Sequence, residues 1–434
     1  MAPRHAQTGT SGTSGTSGTS GAGRAVRAVR DQDWFTAGEA LARLGVKPQT
    51  LYAYVSRGLV RSERVPGSRT SRYRRADVER LASRTRGTPP GTGPEIVVDS
   101  ALTLLDPVGR FAYRGWDVTQ AAAEASYEIV AEWLWGTDPG PGQPWTAPRD
   151  AVKVARRAQA ALPAGATIPD LLRVAAAAVA SCDPLRNDRR RPAVAARARS
   201  RIATLVESLP LVGSAVPAPA GAPIADRLWP RLSPLPATPA RVAALDHALV
   251  LLADHELAAS TLAARVAASA WADPYLVVSA GLAAAGGPLH AGASEAVRHL
   301  LHEIAGGTPA AIAVGQRLRD LGAVPGFGHK VYEGPDPRAA PLLAAVRRAR
   351  PPRDVMRAAA AVEAIVAEDG DEHPNIDFAL GAFTEAASMV PGAGEAIFVL
   401  ARCAGWIAHG LEEYEHRLRY RIRAAYTGPD PDWA

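Results

Sequence analysis

Gly286-Gly287-Pro288-Leu289-His290-Ala291-Gly292-Ala293 opens the region on which the reading of this chain turns. Gly326-Phe327-Gly328-His329-Lys330-Val331-Tyr332 follows, its histidine 39 residues after His290, with Asp336-Pro337-Arg338 close behind. His373-Pro374-Asn375-Ile376-Asp377-Phe378 completes the set, and Asp377 falls 39 positions beyond Arg338. Glycines around both histidines let the backbone approach a ligand and let the imidazoles project from loops. One isolated histidine more often satisfies a local hydrogen bond than does chemistry. Two histidines and an aspartate, each in a Gly/Pro-punctuated segment between helical runs, point to a site.

Asp377 is the only carboxylate in these motifs flanked on both sides by apolar residues, Ile376 and Phe378. Partial desolvation raises the basicity of such a group, which suits a general base. The plainer alternative is that Asp377 caps a helix starting at Phe378.

In these residues the chain resembles the citrate synthase family. Members carry a G-P-L-H-G-G-A-like turn, a G-F/Y-G-H-x-V-Y…D-P-R segment and a P-N-V/I-D segment in this order. The match continues through His255-Glu256-Leu257-Ala258-Ala259-Ser260-Thr261 and Ala401-Arg402-Cys403-Ala404-Gly405-Trp406-Ile407-Ala408-His409, and runs from roughly Gly93 to the C-terminus. Several ordered motifs are specific where one alone is weak.

The resemblance implies a mostly α, two-domain helical fold: a large domain of residues 94–285 and 390–434, and a small domain of residues 286–389 carrying most catalytic residues. It implies a homodimer that condenses acetyl-CoA with oxaloacetate, with no permanently bound cofactor and no metal; the alternatives are a 2-methylcitrate synthase using propionyl-CoA, or a DNA-binding regulator whose synthase-like body senses a metabolite. By the same resemblance Asp377 is the base, His290 stabilises the enol of the thioester, and His329 polarises the ketone of the oxo acid. His255, Arg338 and Arg402 fall at positions that hold the oxo-acid carboxylates, for which the bidentate arginine fork is suited. Arg421, in Arg421-Ile422-Arg423, matches an arginine supplied to the partner subunit.

Three departures stand out. The family places Lys or Arg four residues after the second histidine, to meet the coenzyme A phosphate. Here that position is Glu333, and Lys330 is the candidate for part of the role. Gly-Gly-Ala-Asn after the first histidine has become Ala291-Gly292-Ala293-Ser294, and His-Glu-x-Asn has become His255-Glu256-Leu257-Ala258.

The first fifth of the chain is different in kind. Residues 1–94 hold 16 Lys and Arg against 6 Asp and Glu, a net +10, whereas the whole chain is +6 and the remainder therefore −4. A basic module on a mildly acidic body assigns any polyanion to the module. Residues 1–33 contain a Thr-Ser-Gly repeat and read as a disordered, low-complexity tail. Residues 34–86 read as a small winged helix-turn-helix. Thr36 caps a helix over Ala37 to Leu44, Gly45 closes it, Pro48 opens a second helix, Arg61 to Arg74 form a wing, and Ala76 to Arg84 a short helix. The pattern resembles MerR-type and excisionase-like DNA-binding domains. That resemblance implies a recognition helix bearing Gln49, Thr50, Tyr52 and Ala53, and phosphate contacts from Arg69, Arg72, Arg74 and Arg75. A solvated basic surface that never meets DNA is the alternative. Residues 87–93 read as a linker.

Cys182 and Cys403 are the only cysteines, too few for a disulfide framework and without metal-ligand spacing, so a reducing cytoplasm is expected. No apolar run reaches the ~18–20 residues a membrane span needs, and the N-terminus lacks a signal-peptide core. Residues 94–118 read as a minor β-hairpin, Leu211 to Pro239 as an irregular connection, and the Arg186–Pro192 charge run as a solvated helix end or, second, a surface for nucleotide phosphates.

Overall fold

The computed structural model describes residues 34–46, 48–56, 59–65, 70–79, 98–138, 143–287, 290, 292–370, 372–416 and 420. They divide into two compact units, Met1–Val98 and Asp99–Ala434.

In the first unit, β1 (Trp34–Thr36), α1 (Ala37–Leu44), α2 (Pro48–Ser56), β2 (Ser62–Arg64) and β3 (Ser71–Arg74) are followed by helical residues 75–79. Thr36 and Glu39 form a reciprocal capping box at the start of α1, and Gly45 closes the helix at φ 66°. The strands make an antiparallel sheet in the order β1-β3-β2, with Trp34 opposite Arg74 and Ser62 opposite Tyr73. Strand β1 has no counterpart in the sequence reading, because three residues are too short to display alternation. Phe35, Ala40, Leu44, Leu51, Val60, Tyr73 and Val78 form the core. The tail, the linker, Arg69 and the end of the third helix lie outside the described residues.

The second unit opens with a three-stranded antiparallel sheet, β4 (Thr103–Leu105), β5 (Phe111–Tyr113) and β6 (Trp116–Asp117), one strand more than a hairpin. Helices follow: α3 (Val118–Glu124), α4 (Tyr127–Trp135), α5 (Arg149–Gln159), α6 (Ile168–Val179), α7 (Arg191–Ser208), α8 (Ile224–Leu232), α9 (Pro239–Leu252) and α10 (Ala259–Ser269). Then come α11 (Pro274–Ala285), α12 (Ala293–Ala305), α13 (Ala310–Leu321), α14 (Ala339–Arg348), α15 (Arg353–Asp369), α16 (Ile376–Ala386) and α17 (Ala393–His416). Helix α8 corrects the expectation of an irregular Leu211–Pro239 connection. Its Pro230 sits in the last turn, and burial of Leu228, Trp229 and Leu232 overrides the low propensity of the segment.

Helix α17 is the axis of this unit. It is buried on all sides from Ala396 to Tyr414, its apolar surface interrupted by the buried polar residues Arg402, His409, Glu412 and Glu413. Helices α4, α7, α9, α10 and α11 pack around it. Close approach depends on small residues: a Cβ on Gly281 would stand 2.5 Å from the Trp406 ring. Elsewhere α12 packs on α15 and α16, and α14 on α16. Among the described residues no helix is long and apolar enough to cross a membrane.

Candidate active site

Two loops carry much of the site, and they are tied together. Gly328 N–H donates to His373 O (3.0 Å), Asn375 N–H to Gly326 O (2.9 Å), and Asn375 Nδ2 to Gly328 O (2.8 Å). Gly326 must be glycine: its φ is 84°, and a Cβ there would lie 2.9 Å from the Phe378 Cα. Asn375 also caps α16, accepting from Asp377 N–H (2.9 Å) and Phe378 N–H (3.3 Å). The alternative that Asp377 is the cap is thereby corrected. The helix begins at Ile376, and the Asp377 carboxylate is left for the cavity.

That cavity, of about 720 Å³, is lined by His255, His290, His329, Lys330, Arg338, Asp377 and Arg402, with Leu105, Ala258 and Phe398 among its apolar walls. His255 follows α9, His290 lies between α11 and α12, and His329 follows α13. Arg338 is the N-cap of α14, Asp377 is in the first turn of α16, and Arg402 is inside α17. Residues spread between positions 255 and 402 thus converge on one space. Lys330 reaches it from an exposed position, and Glu333 is exposed but is not among the lining residues. Arg421 lies outside the described residues.

Hydrogen bonds assign the histidine tautomers. His329 Nδ1 accepts from Val331 N–H (3.0 Å) and Tyr332 N–H (3.2 Å), so its proton is on Nε2, 3.4 Å from Arg338 Nη2. His290 Nε2 accepts from Ser260 N–H (3.4 Å), which leaves Nδ1–H as the donor. Burial, then Arg338, lowers His329 to about 4; burial, then Arg402, lowers His290; burial and both arginines hold His255 well below its ordinary value. All three are neutral hydrogen-bond donors at pH 7. Burial pushes Asp377 from 3.8 up to about 6, against the opposing pull of Arg338.

Arg338 is held by Asp336, which accepts from its backbone N–H (3.0 Å), Nε (2.9 Å) and Nη2 (2.8 Å). The same carboxylate accepts from Ile376 N–H at 2.9 Å, fixing the start of the helix that bears Asp377. Arg402 donates Nε to Leu252 O (2.8 Å) and lies over the Phe398 ring (4.5 Å); among the described residues its other nitrogens are uncommitted. Sequence reasoning assigned no role to Asp336, Ser260 or Tyr332. Their only signal was position inside the motifs, Asp336 two residues before Arg338 and Ser260 five after His255. Buried Tyr332 packs on His329 (centroids 4.4 Å), and its hydroxyl lies 3.5 Å from His255 Nε2.

In the first unit, Thr50 and Tyr52 are on α2, with Tyr52 64% exposed; Gln49 is in the same helix. Arg74 is exposed, whereas Arg72 pairs with Glu63 and lies over Trp34 (5.1 Å), and Arg75 lies over Phe35 (4.6 Å). Ala53 is also in α2. In the second unit the Arg186–Pro192 run is not an open cationic surface. Arg190 pairs with Asp188, Arg191 with Glu415 and Arg186 with Asp273, and Arg189 lies over Trp271.

The fold and cavity define a helical protein that gathers three imidazoles, the buried Asp377 carboxylate and two buried guanidinium groups in one space, with Glu256 and Glu372 also on the lining. Residues 92–424 match the family model for the citrate synthase C-terminal domain, and residues 35–83 match that for MerR HTH family regulatory proteins. Relatives include Citrate synthase 2 of Bacillus subtilis, 36% identical over 196 residues (44% of this chain, 53% of the relative). 2-Methylcitrate synthase 2 of Corynebacterium glutamicum is 34% identical over 196 residues (44% and 51%). The chain therefore spans about half the length of these relatives. Among solved structures, citrate synthase from Pyrobaculum aerophilum superposes with a TM-score of 0.64 at 27% identity, covering 78% of this chain and 92% of that one. The ternary complex of carboxymethyl coenzyme A and oxaloacetate with citrate synthase from Thermoplasma acidophilum gives 0.63 at 25%, covering 78% and 96%. The chain belongs to the citrate synthase family.

Proposed function

We propose that this chain condenses acetyl-CoA with oxaloacetate. Asp377 takes a proton from the thioester methyl while His290 Nδ1–H donates to the thioester oxygen, giving the enol. The enol carbon then attacks the oxaloacetate ketone, forming the C–C bond. His329 Nε2–H donates to the ketone oxygen as negative charge develops there, and donors of this kind contribute on the order of 3–4 kcal/mol each. Water then attacks the thioester carbonyl, the C–S bond breaks and the thiol leaves. Arg338, Arg402 and His255 bind the oxo-acid carboxylates, and Lys330 meets the coenzyme A phosphates.

The observation that carries this reading is Asp377 itself. A carboxylate made basic by burial shares one cavity with two neutral imidazoles whose free N–H groups are assigned, and with two arginines. The segment 286–389 supplies His290, His329, Arg338 and Asp377, and acts as the small domain that closes on His255 and Arg402. Exposed Val266, Trp271 and Leu276, on and between α10 and α11, support a homodimer, with Arg421 reaching the partner's site.

Propionyl-CoA is the second reading. Ala258, where the family has an amide, and the apolar walls at Leu105 and Phe398 favour room for one more methylene. Residues 34–86 bind DNA through α2, a reading supported by the MerR match, and the protein works in the cytoplasm. Thiol release by the full chain, with oxaloacetate and each acyl-CoA in turn, tests the reaction. Release that requires oxaloacetate supports it, and release with neither acyl-CoA ends it.

A further inference from the structure

We propose that His409 and Asp254 are positioning residues of the oxo-acid clamp. The buried chain Glu412–Arg265–His409–Asp254–Thr103 holds the Leu252–Glu256 turn so that His255 and Arg402 face the cavity. The inference rests on the clamp assignment above.

None of the inner members lines the cavity, and Arg265, His409 and Asp254 have no exposed surface. Arg265 Nη1 donates to Glu412 Oε2 (2.6 Å) and lies 3.0 Å from His409 Nδ1. An arginine only donates, so Nδ1 accepts and His409 Nε2–H donates to Asp254 Oδ2 at 3.2 Å. Thr103 Oγ1 donates to the same oxygen. Asp254 Oδ1 is buried without a hydrogen-bond partner among the described residues.

Buried polar chains contribute little net stability relative to an apolar core, so the placement of this one needs another account. It converges on the turn that presents His255. Asp254 immediately precedes His255, and Glu256 immediately after it sits at φ 53°, a left-handed conformation that is strained for a non-glycine residue. Such a turn persists only when its surroundings hold it. Tyr113 Oη accepts from Asp254 N–H (3.2 Å) and lies 3.1 Å from Val250 O. From α17, Gly405 N–H donates to Ala253 O (3.0 Å), and a Cβ on Gly405 would stand 2.2 Å from Asp254 Oδ1. Arg402, one turn earlier in the same helix, is bonded to Leu252 O. Burial lowers Arg402 to about 10, and Asp254 is the foremost charge opposing that fall. One carboxylate therefore anchors the His255 turn and balances the Arg402 charge.

The test compares His409→Leu, His409→Gln and Thr103→Val in the full chain, varying oxaloacetate and acetyl-CoA separately. Leucine removes both ring contacts. Glutamine keeps an N–H for Asp254 and an oxygen for Arg265. His409→Leu should raise the oxaloacetate KM about ten- to hundredfold, the loss expected when a buried charged group loses its partner, while kcat and the acetyl-CoA KM stay within about threefold. His409→Gln should restore the oxaloacetate KM to near wild type, and Thr103→Val should raise it by a smaller factor. Unchanged oxaloacetate KM in both His409→Leu and Thr103→Val, with only the melting temperature lowered, overturns the proposal; so does a parallel fall of every parameter. Should His409→Leu fail to fold, Thr103→Val decides. Should the wild type show no turnover, oxaloacetate binding by calorimetry makes the same comparison, which separates failure of this proposal from failure of the condensation reading.

Discussion

Replacing Asp377 with asparagine should cut turnover by orders of magnitude and yet stabilise the protein. The carboxyl is displaced from 3.8 to about 6, chiefly by burial. A difference of about two pH units, at about 1.4 kcal/mol each, means that ionised Asp377 costs the folded state up to about 3 kcal/mol at neutral pH. The group borders an open cavity whose water screens it, so the expected gain from Asp377→Asn is about 1–2 kcal/mol. The sign follows from linkage. A raised folded-state value means that stability is fully present below the unfolded value near 4 and is lost as pH rises through 6. The variant escapes that loss, so its advantage should be full at pH 7.5 and shrink steadily below pH 6. Removal of a general base should lower turnover about a hundredfold to ten-thousandfold, with oxaloacetate binding nearly intact. Urea unfolding at pH 7.5 and 4.5, beside thiol-release kinetics, measures both. Unchanged turnover would refute the base assignment, and lower stability at pH 7.5 would refute the desolvation argument.

Arg338→Leu should raise the oxaloacetate KM sharply and cost about 3–5 kcal/mol in stability, because Asp336 is left buried and unpaired; adding Asp336→Asn should recover stability but not affinity in the same assays. In wild type, log kcat/KM should fall with unit slope below pH about 6, as Asp377 protonates, with no second loss from His329, which titrates near 4. Deleting residues 1–90 should abolish DNA retardation and spare condensation, and binding by the full chain should weaken as salt rises through counterion release. Because Arg72 is already paired with Glu63, Arg72→Ala should lower the salt slope less than Arg74→Ala.

Much of the candidate site is legible in the sequence because its chemistry sits in short Gly/Pro-marked segments. His290, His329, Arg338 and Asp377 each carry a local signal, and the apolar neighbours of Asp377 foretell its desolvation. The supporting residues carry no such signal. His409 meets Asp254 across 155 positions and Tyr113 meets Asp254 across 141, contacts that exist only once α17 and β5 are both packed against the turn that follows α9. The same holds for α8, which lies in a Pro-rich tract that argues for a loop until Trp229 is seen to be buried. In the first unit, caps and turn residues make α1 and α2 readable, while β1 depends on pairing with β3, nearly 40 positions away.

The most direct test of enolisation followed by condensation uses acetyl-CoA carrying three methyl deuterons. With oxaloacetate present, mass spectrometry should find a six-carbon product holding two deuterons, formed in step with free thiol. Thiol release without such a product, or a product keeping all three deuterons, would contradict the account.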